Sequence, residues 1–137
     1  MTVQTSLNEI QTAIHTKLTG DTTLMGMISG VFDFGAVPAN QAYPFVAIGD
    51  SIETPDNRFG RRGYDTIQTL DIWDSSNNFQ VCQLILARLN TLLDQQPLSL
   101  ATHQHVYTLY NTCQTLNDPG VNDIRHLVVK YDIFTQE

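Results

Sequence analysis

The sequence predicts an α+β fold: a mostly antiparallel β-sheet with helices packed on one face, in a single domain. Three observations predict it. Residues 66–74, Thr-Ile-Gln-Thr-Leu-Asp-Ile-Trp-Asp, have the β-branched and aromatic content of a strand. Side-chain alternation puts Leu70 and Ile72 on one face and Ile67, Asp71 and Trp73 on the other. Residues 79–94 carry Cys82, Ile85, Leu89 and Leu92 at steps of three and four, the apolar stripe of an amphipathic helix. Near the C-terminal end, Leu127, Val129, Tyr131 and Ile133 alternate along one face of a strand that follows the turn Asn117-Asp118-Pro119-Gly120. A joint of only Ser75 and Ser76 folds the helix back onto the sheet, over Leu70 and Ile72.

The remaining elements follow in order. Ser6 and Glu9 have capping-box spacing, and Leu7, Ile10, Ile14 and Leu18 mark one face of a first helix ending at Gly20. Asp21 caps a short second helix through Ile28, closed by Gly30. Residues 31–34 read as a brief strand, and 35–42, with Pro38, as a loop. Pro44 opens a strand through Ile52, since proline is tolerated at a strand's first residue. Residues 53–63 hold Pro55, Asp56, Asn57, Gly60 and Gly63 without apolar period, so they read as a long exposed loop, mobile in the free subunit and ordered by assembly. Asn77 and Gln80 form a capping box, starting the main helix at Asn77, and Gln96-Pro97 ends it. Residues 103–116 and 123–134 are the last two strands. The predicted core is Leu70, Ile72, Ile85, Leu89 and Leu92, with Ile10, Ile14, Leu127 and Val129.

At 137 residues and 42% apolar content, the chain builds one real core. No apolar run approaches the ~20 residues of a membrane span, so no membrane partner is expected. The start, Met-Thr-Val-Gln-Thr-Ser, lacks the basic and apolar regions of a signal peptide, which points to a cytoplasm. Fourteen acidic against seven basic side chains give −7, which argues against a tightly held nucleic acid. Three of those cations, Arg58, Arg61 and Arg62, cluster in the glycine-containing loop, which fits either a contact with an acidic neighbour or a solvated loop that is basic by chance. Cys82 and Cys113 lack metal-site spacing and read as reduced core thiols.

Chemistry is sparse. His103 and His105 share a strand face and would need a third ligand to hold a metal; the pattern indicates none, and ordinary strand-end histidines are the reading adopted. Cys82, on an apolar helix stripe, is inert rather than nucleophilic. There is no nucleophile elbow, phosphate-binding glycine loop or dinucleotide fingerprint, so neither a catalytic residue nor a cofactor is assigned. Asp71 beside Trp73 reads as an exposed carboxylate or a hydrogen-bond acceptor in an interface. The interface residues are therefore Arg58, Arg61, Arg62, Asp71 and Trp73.

Three segments carry a resemblance. Val37-Pro38-Ala39 followed by Tyr43-Pro44-Phe45-Val46-Ala47-Ile48-Gly49 resembles the "VPxxxxxPYVVIG" stretch of the tail-completion, or tail-to-head joining, proteins of long-tailed phages, with Phe45 where that family often has Tyr. Leu70-Asp71-Ile72-Trp73, with Ser75 after it, is similar to the family's "IDVW" strand and Ser-initiated helix. Residues 124–131, Ile-Arg-His-Leu-Val-Val-Lys-Tyr, resemble its last strand, where an Arg-His pair is common. The order and spacing span nearly the whole chain. The Arg58–Gly63 stretch matches no pattern of the family.

The resemblance implies a non-catalytic virion protein of the tail or neck, made in the host cytoplasm. It implies a homo-oligomeric ring, typically a hexamer, at the head-proximal end of the tail tube. Its partners would be the head-completion or stopper protein and the tail tube protein, with DNA passing through the lumen unbound. The alternatives are a tail terminator ring, a non-viral binding module using the sheet face around Trp73, and a metal-dependent hydrolase built on His103 and His105.

Overall fold

The computed structural model describes residues 4–116 and 124–137; the predicted turn at 117–120 and the start of the last strand at Asp123 lie outside them. The elements are α1 (Leu7–Thr19), α2 (Thr22–Met25), β1 (Val31–Asp33), a 3-10 turn (Phe34–Ala36), β2 (Phe45–Pro55), β3 (Gly63–Asp74), α3 (Gln80–Leu93), β4 (Gln104–Leu116) and β5 (Arg125–Gln136). The five strands form one sheet in the order β1-β2-β3-β5-β4. Only β1 pairs in parallel, with β2; the other three pairings are antiparallel. This is the predicted α+β architecture.

Register explains the one-sided core. Ile48 lies opposite Leu70 and Val46 opposite Ile72, while Leu70 and Ile72 face Val129 and Leu127 across the next pairing. These side chains project to one face and pack with Ile10, Ile14 and Leu18 of α1, Leu24 of α2, and Cys82, Ile85, Leu89 and Leu93 of α3. Burying each large aliphatic side chain stabilises by about 1.5–3 kcal/mol. The α3 stripe thus uses Leu93 where the sequence predicts Leu92, which is only half-buried. Steps of three, four and four follow the helical period more closely than a return to three. Tyr131, also in the core, donates its hydroxyl to Asn90 Oδ1 at 2.6 Å, tying β5 to α3; burial pushes its phenol up.

Both predicted capping boxes are absent. The Ser6 side chain makes no cap bond to α1; instead, Glu53 of β2 caps the helix from outside. Its carboxylate accepts from Ser6 N–H at 3.0 Å and from Thr5 Oγ1 at 2.8 Å, next to helix N–H groups that favour negative charge. Glu9 turns away and accepts from Thr102 N–H at 2.6 Å, Thr102 Oγ1 at 2.7 Å and His103 N–H at 3.1 Å, and pairs with His103 Nδ1 at 2.7 Å. At α3, Asn78 rather than Asn77 supplies the side chain, accepting from Gln80 N–H at 2.9 Å, so the joint runs to Phe79 and the helix begins at Gln80. Asp21 does cap α2, accepting from Leu24 N–H at 2.8 Å, but α2 stops at Met25, before the predicted Ile28, with Gly26 following. The same carboxylate takes Arg88 of α3 in a fork, at 2.7 and 2.9 Å, joining the two helices.

Glu9 makes a pH-dependent joint. Burial alone would raise its carboxyl, but the bonds from Thr102 and His103 outweigh it and hold the group at about 2, against 4.5 ordinarily. A depressed carboxyl stabilises the fold above its unfolded value, and that contribution is lost as pH falls from about 4.5 toward about 2. Glu9→Gln should cost about 1–3 kcal/mol at pH 7 by denaturant titration, because an amide nitrogen cannot accept the Thr102 hydroxyl. The variant should lose less stability than wild type between pH 5 and pH 3.

Candidate functional site

The sheet face opposite the helices is uncovered except near the start of β2, and two features stand out on it. The first is a cross-strand ladder. Phe45 pairs with Trp73, and Trp73 with His126, across β2, β3 and β5. The Trp73 and His126 rings stack, 3.7 Å between centroids and 10° apart. His126 Nε2 also bonds Asp71 Oδ1 at 2.7 Å. Gly49 leaves room for this carboxylate, since a Cβ there would lie 2.5 Å from Asp71 Oδ2. Phe45 is packed in turn by Phe32, edge-on, and Tyr43. Asp71 is therefore a nearly buried acceptor held by histidine. Strand alternation places Asp71 and Trp73 together from sequence; the partnership with His126 needs the β3–β5 pairing.

Beyond the ladder, the open face forms a cavity of about 400 Å³ lined by Phe34, Ile52, Ile67 and Val128, with Asp50, Asp71 and Lys130. Phe34 and Ile52 are more than half exposed. Further along the face, Asp65 Oδ1 is buried without a hydrogen-bond partner. Burial, then the neighbouring charges of Asp132 and Asp56, push its carboxyl above the ordinary range.

The second feature is the arginine segment. The sequence predicts a loop from Glu53 to Gly63, but β2 continues through Pro55 and β3 begins at Gly63, so the connection is a short hairpin end. A register shift between Ile48 and Ser51 re-aims the outer half of β2, and its last residues, Glu53 to Pro55, are the ones the sequence assigns to the loop. Asp56 N–H donates to Gly63 O at 2.8 Å, and Arg58 and Arg61 exchange backbone bonds at 2.8 and 2.9 Å. Phe59 and Gly60 form the tip, both at positive φ (45° and 78°), as a two-residue hairpin turn requires. Phe59 is fully exposed there. Arg58 pairs with Asp56 at 3.1 Å and lies over the Phe134 ring at 5.3 Å, and Arg62 reaches Glu137 at 4.0 Å.

The predicted interface residues therefore fall into two groups. Arg58, Arg61 and Arg62 sit at the hairpin end, and Asp71 and Trp73 near the opposite end of β3, roughly 33 Å away. Phe59 was missed; the signal was an aromatic residue among turn formers and arginines.

The candidates for chemistry are engaged separately. His103 is bound to Glu9, whereas His105 accepts from Leu98 N–H at 3.3 Å and bonds Thr108 Oγ1 at 2.7 Å; burial, then Lys17, lowers its basicity. Among the described residues no group of three or more His, Cys, Asp or Glu is placed to hold a metal ion. Burial pushes the Cys82 thiol up to about 11. Cys113 is exposed on β4, not in the core as predicted, because most of β4 is exposed.

The family model described as tail completion protein gp17 matches residues 12–136. This chain belongs to that family. Among solved structures, a chain of the virion of a native gene transfer agent particle superposes with a TM-score of 0.88 at 17% identity, covering 98% of this chain and 100% of the other. The bacteriophage SPP1 gp17 protein superposes with a TM-score of 0.61 at 23% identity, covering 92% and 88%. At these identities the two show a common fold. No curated protein matches the sequence. The strand parts of the three segments that resemble tail-completion proteins lie on β2, β3 and β5, adjacent in the sheet, and meet in the Phe45–Trp73–His126 ladder; Val37-Pro38-Ala39 lies in the connection before β2.

Proposed function

We propose that this chain is a structural subunit at the head-proximal end of a phage-type tail, where copies form a ring, typically of six, that joins the tail to the head connector. The family match over residues 12–136 carries this reading. The likeness to a chain of a gene transfer agent virion supports a place in a particle. The role is architectural rather than catalytic: each histidine discussed above is tied into the fold, and the helix-stripe thiol is held protonated by burial. Its partners are further copies of itself, the head-completion or stopper protein and the tail tube protein.

Ring subunits meet head to tail through two different surfaces, and the open sheet face and the arginine hairpin supply such a pair. The net charge of −7 suits a ring around passing DNA, since phosphate contacts would hold the DNA back. In micrographs of particles carrying a labelled copy of the chain, the label should mark one end of the tail. Label spread along the tube would contradict the role.

A further inference from the structure

We infer that Phe59 at the hairpin tip inserts into the open-face cavity of the next copy of this chain. The inference rests on the ring role and names its contact. Among the described residues, Phe59 is the most exposed of the large apolar side chains, wholly in solvent at the end of a closed turn. A large apolar side chain on a hydrogen-bonded turn is material for an anchor, because an aromatic ring buries much area with few side-chain torsions to fix. Its own chain offers it no seat: the tip lies beyond the strands, and Arg58 beside it folds back over Phe134.

The receptor has the matching chemistry. The cavity has an apolar lining from Phe34, Ile52, Ile67 and Val128, about 400 Å³ in all, enough for one aromatic side chain. Its charged members are two carboxylates, Asp50 and Asp71, against one cation, Lys130. Around it the same face adds Asp65 and Asp132; burial, then the charge of Asp132, holds the Asp65 carboxyl above its ordinary range. Arg58 and Arg61 flank Phe59, so a tip entering this face brings cations to an acidic surround on a chain of net charge −7. Donor and receptor are different surfaces of one protein, so the contact is heterologous and repeats from copy to copy until rotation closes it. The occupant is thus a second copy of the chain, engaged in each direction by every subunit.

Paired cysteines test this in assembled particles. Phe59→Cys with Ile67→Cys, in a Cys113→Ser background, should give a ladder of disulfide-linked multimers after mild oxidation, collapsing to monomer on reduction. Chains with only one of the two introduced cysteines, beside the buried Cys82, should remain monomeric. Ile52→Cys replaces Ile67→Cys as receptor if the latter variant folds poorly, since Ile52 is already mostly exposed. Monomer only, from both pairs, in particles whose tail ends carry the chain would overturn the inference while leaving the joining role standing. A dimer from Phe59→Cys alone, or its linkage to another virion protein, would overturn it too. Absence of the chain from tail ends would instead defeat the joining role, and the inference with it.

Discussion

Leu89→Ala should destabilise the free protein by about 2–5 kcal/mol, read by chemical denaturation at neutral pH. Leu89 is wholly buried on α3, between Ile85 and Leu93 on the stripe that faces the sheet. The substitution removes apolar surface from the core and leaves a cavity whose walls relax only in part, and the two costs add. The strands beneath are locked by paired backbone on both sides of β3, so the sheet is poorly able to move into the space. A small domain holds ~5–15 kcal/mol in all, so the variant should show a clear shift of its midpoint. A cost near zero would mean that α3 does not seat on the sheet through this face.

The second large effect is on assembly. Replacing Arg58, Arg61 and Arg62 together by Ser should leave folding intact and impair head-to-tail joining, leaving filled heads and free tails. The hairpin survives because its closure is made by main-chain groups: Asp56 to Gly63, and Arg58 with Arg61. The side-chain contacts that are lost, Arg58 with Asp56 and the Phe134 ring and Arg62 with Glu137, lie at the surface and are worth only ~0–1 kcal/mol each. In a ring the same small loss recurs at every contact, and guanidinium forks that would hold a neighbour's carboxylates are gone throughout. Normal infectious particles from the triple variant would show the hairpin to be a solvated connection. Loss of folding would show the arginines to be structural.

Much of this architecture was legible in the residues. Alternation on β3 and β5 identifies their buried faces correctly, with Leu70, Ile72, Leu127 and Val129 all in the core. The Asp21 cap is also read correctly, because its partner lies three residues on. What failed was long-range. Ser6 and Glu9 have the spacing of a local box, yet the helix is capped by Glu53, far along the chain, and Glu9 serves residues 102 and 103. Spacing reports only what a residue can do for its own turn, and a stronger distant partner overrides it. The end of β2 was hidden for a related reason. Glu53, Thr54 and Pro55 lack apolar alternation, and only pairing with β3 makes them strand.

The site was legible in part for the same reason. Asp71 and Trp73 share a face by parity, but that His126 would stack on one and bond the other follows only from the register of β5 against β3. The arginine cluster was visible as composition. Its form, a closed hairpin that presents Phe59, depends on positive φ at two adjacent positions, one of them not glycine. No propensity argument assigns that conformation to a phenylalanine.

Electron microscopy of particles assembled without this chain puts the joining role to the test. DNA-filled heads should lie beside separate tails of normal length, because the joint alone is missing. Joined, normal particles would contradict it, and so would tails of uncontrolled length, which would make the chain a terminator of the tube.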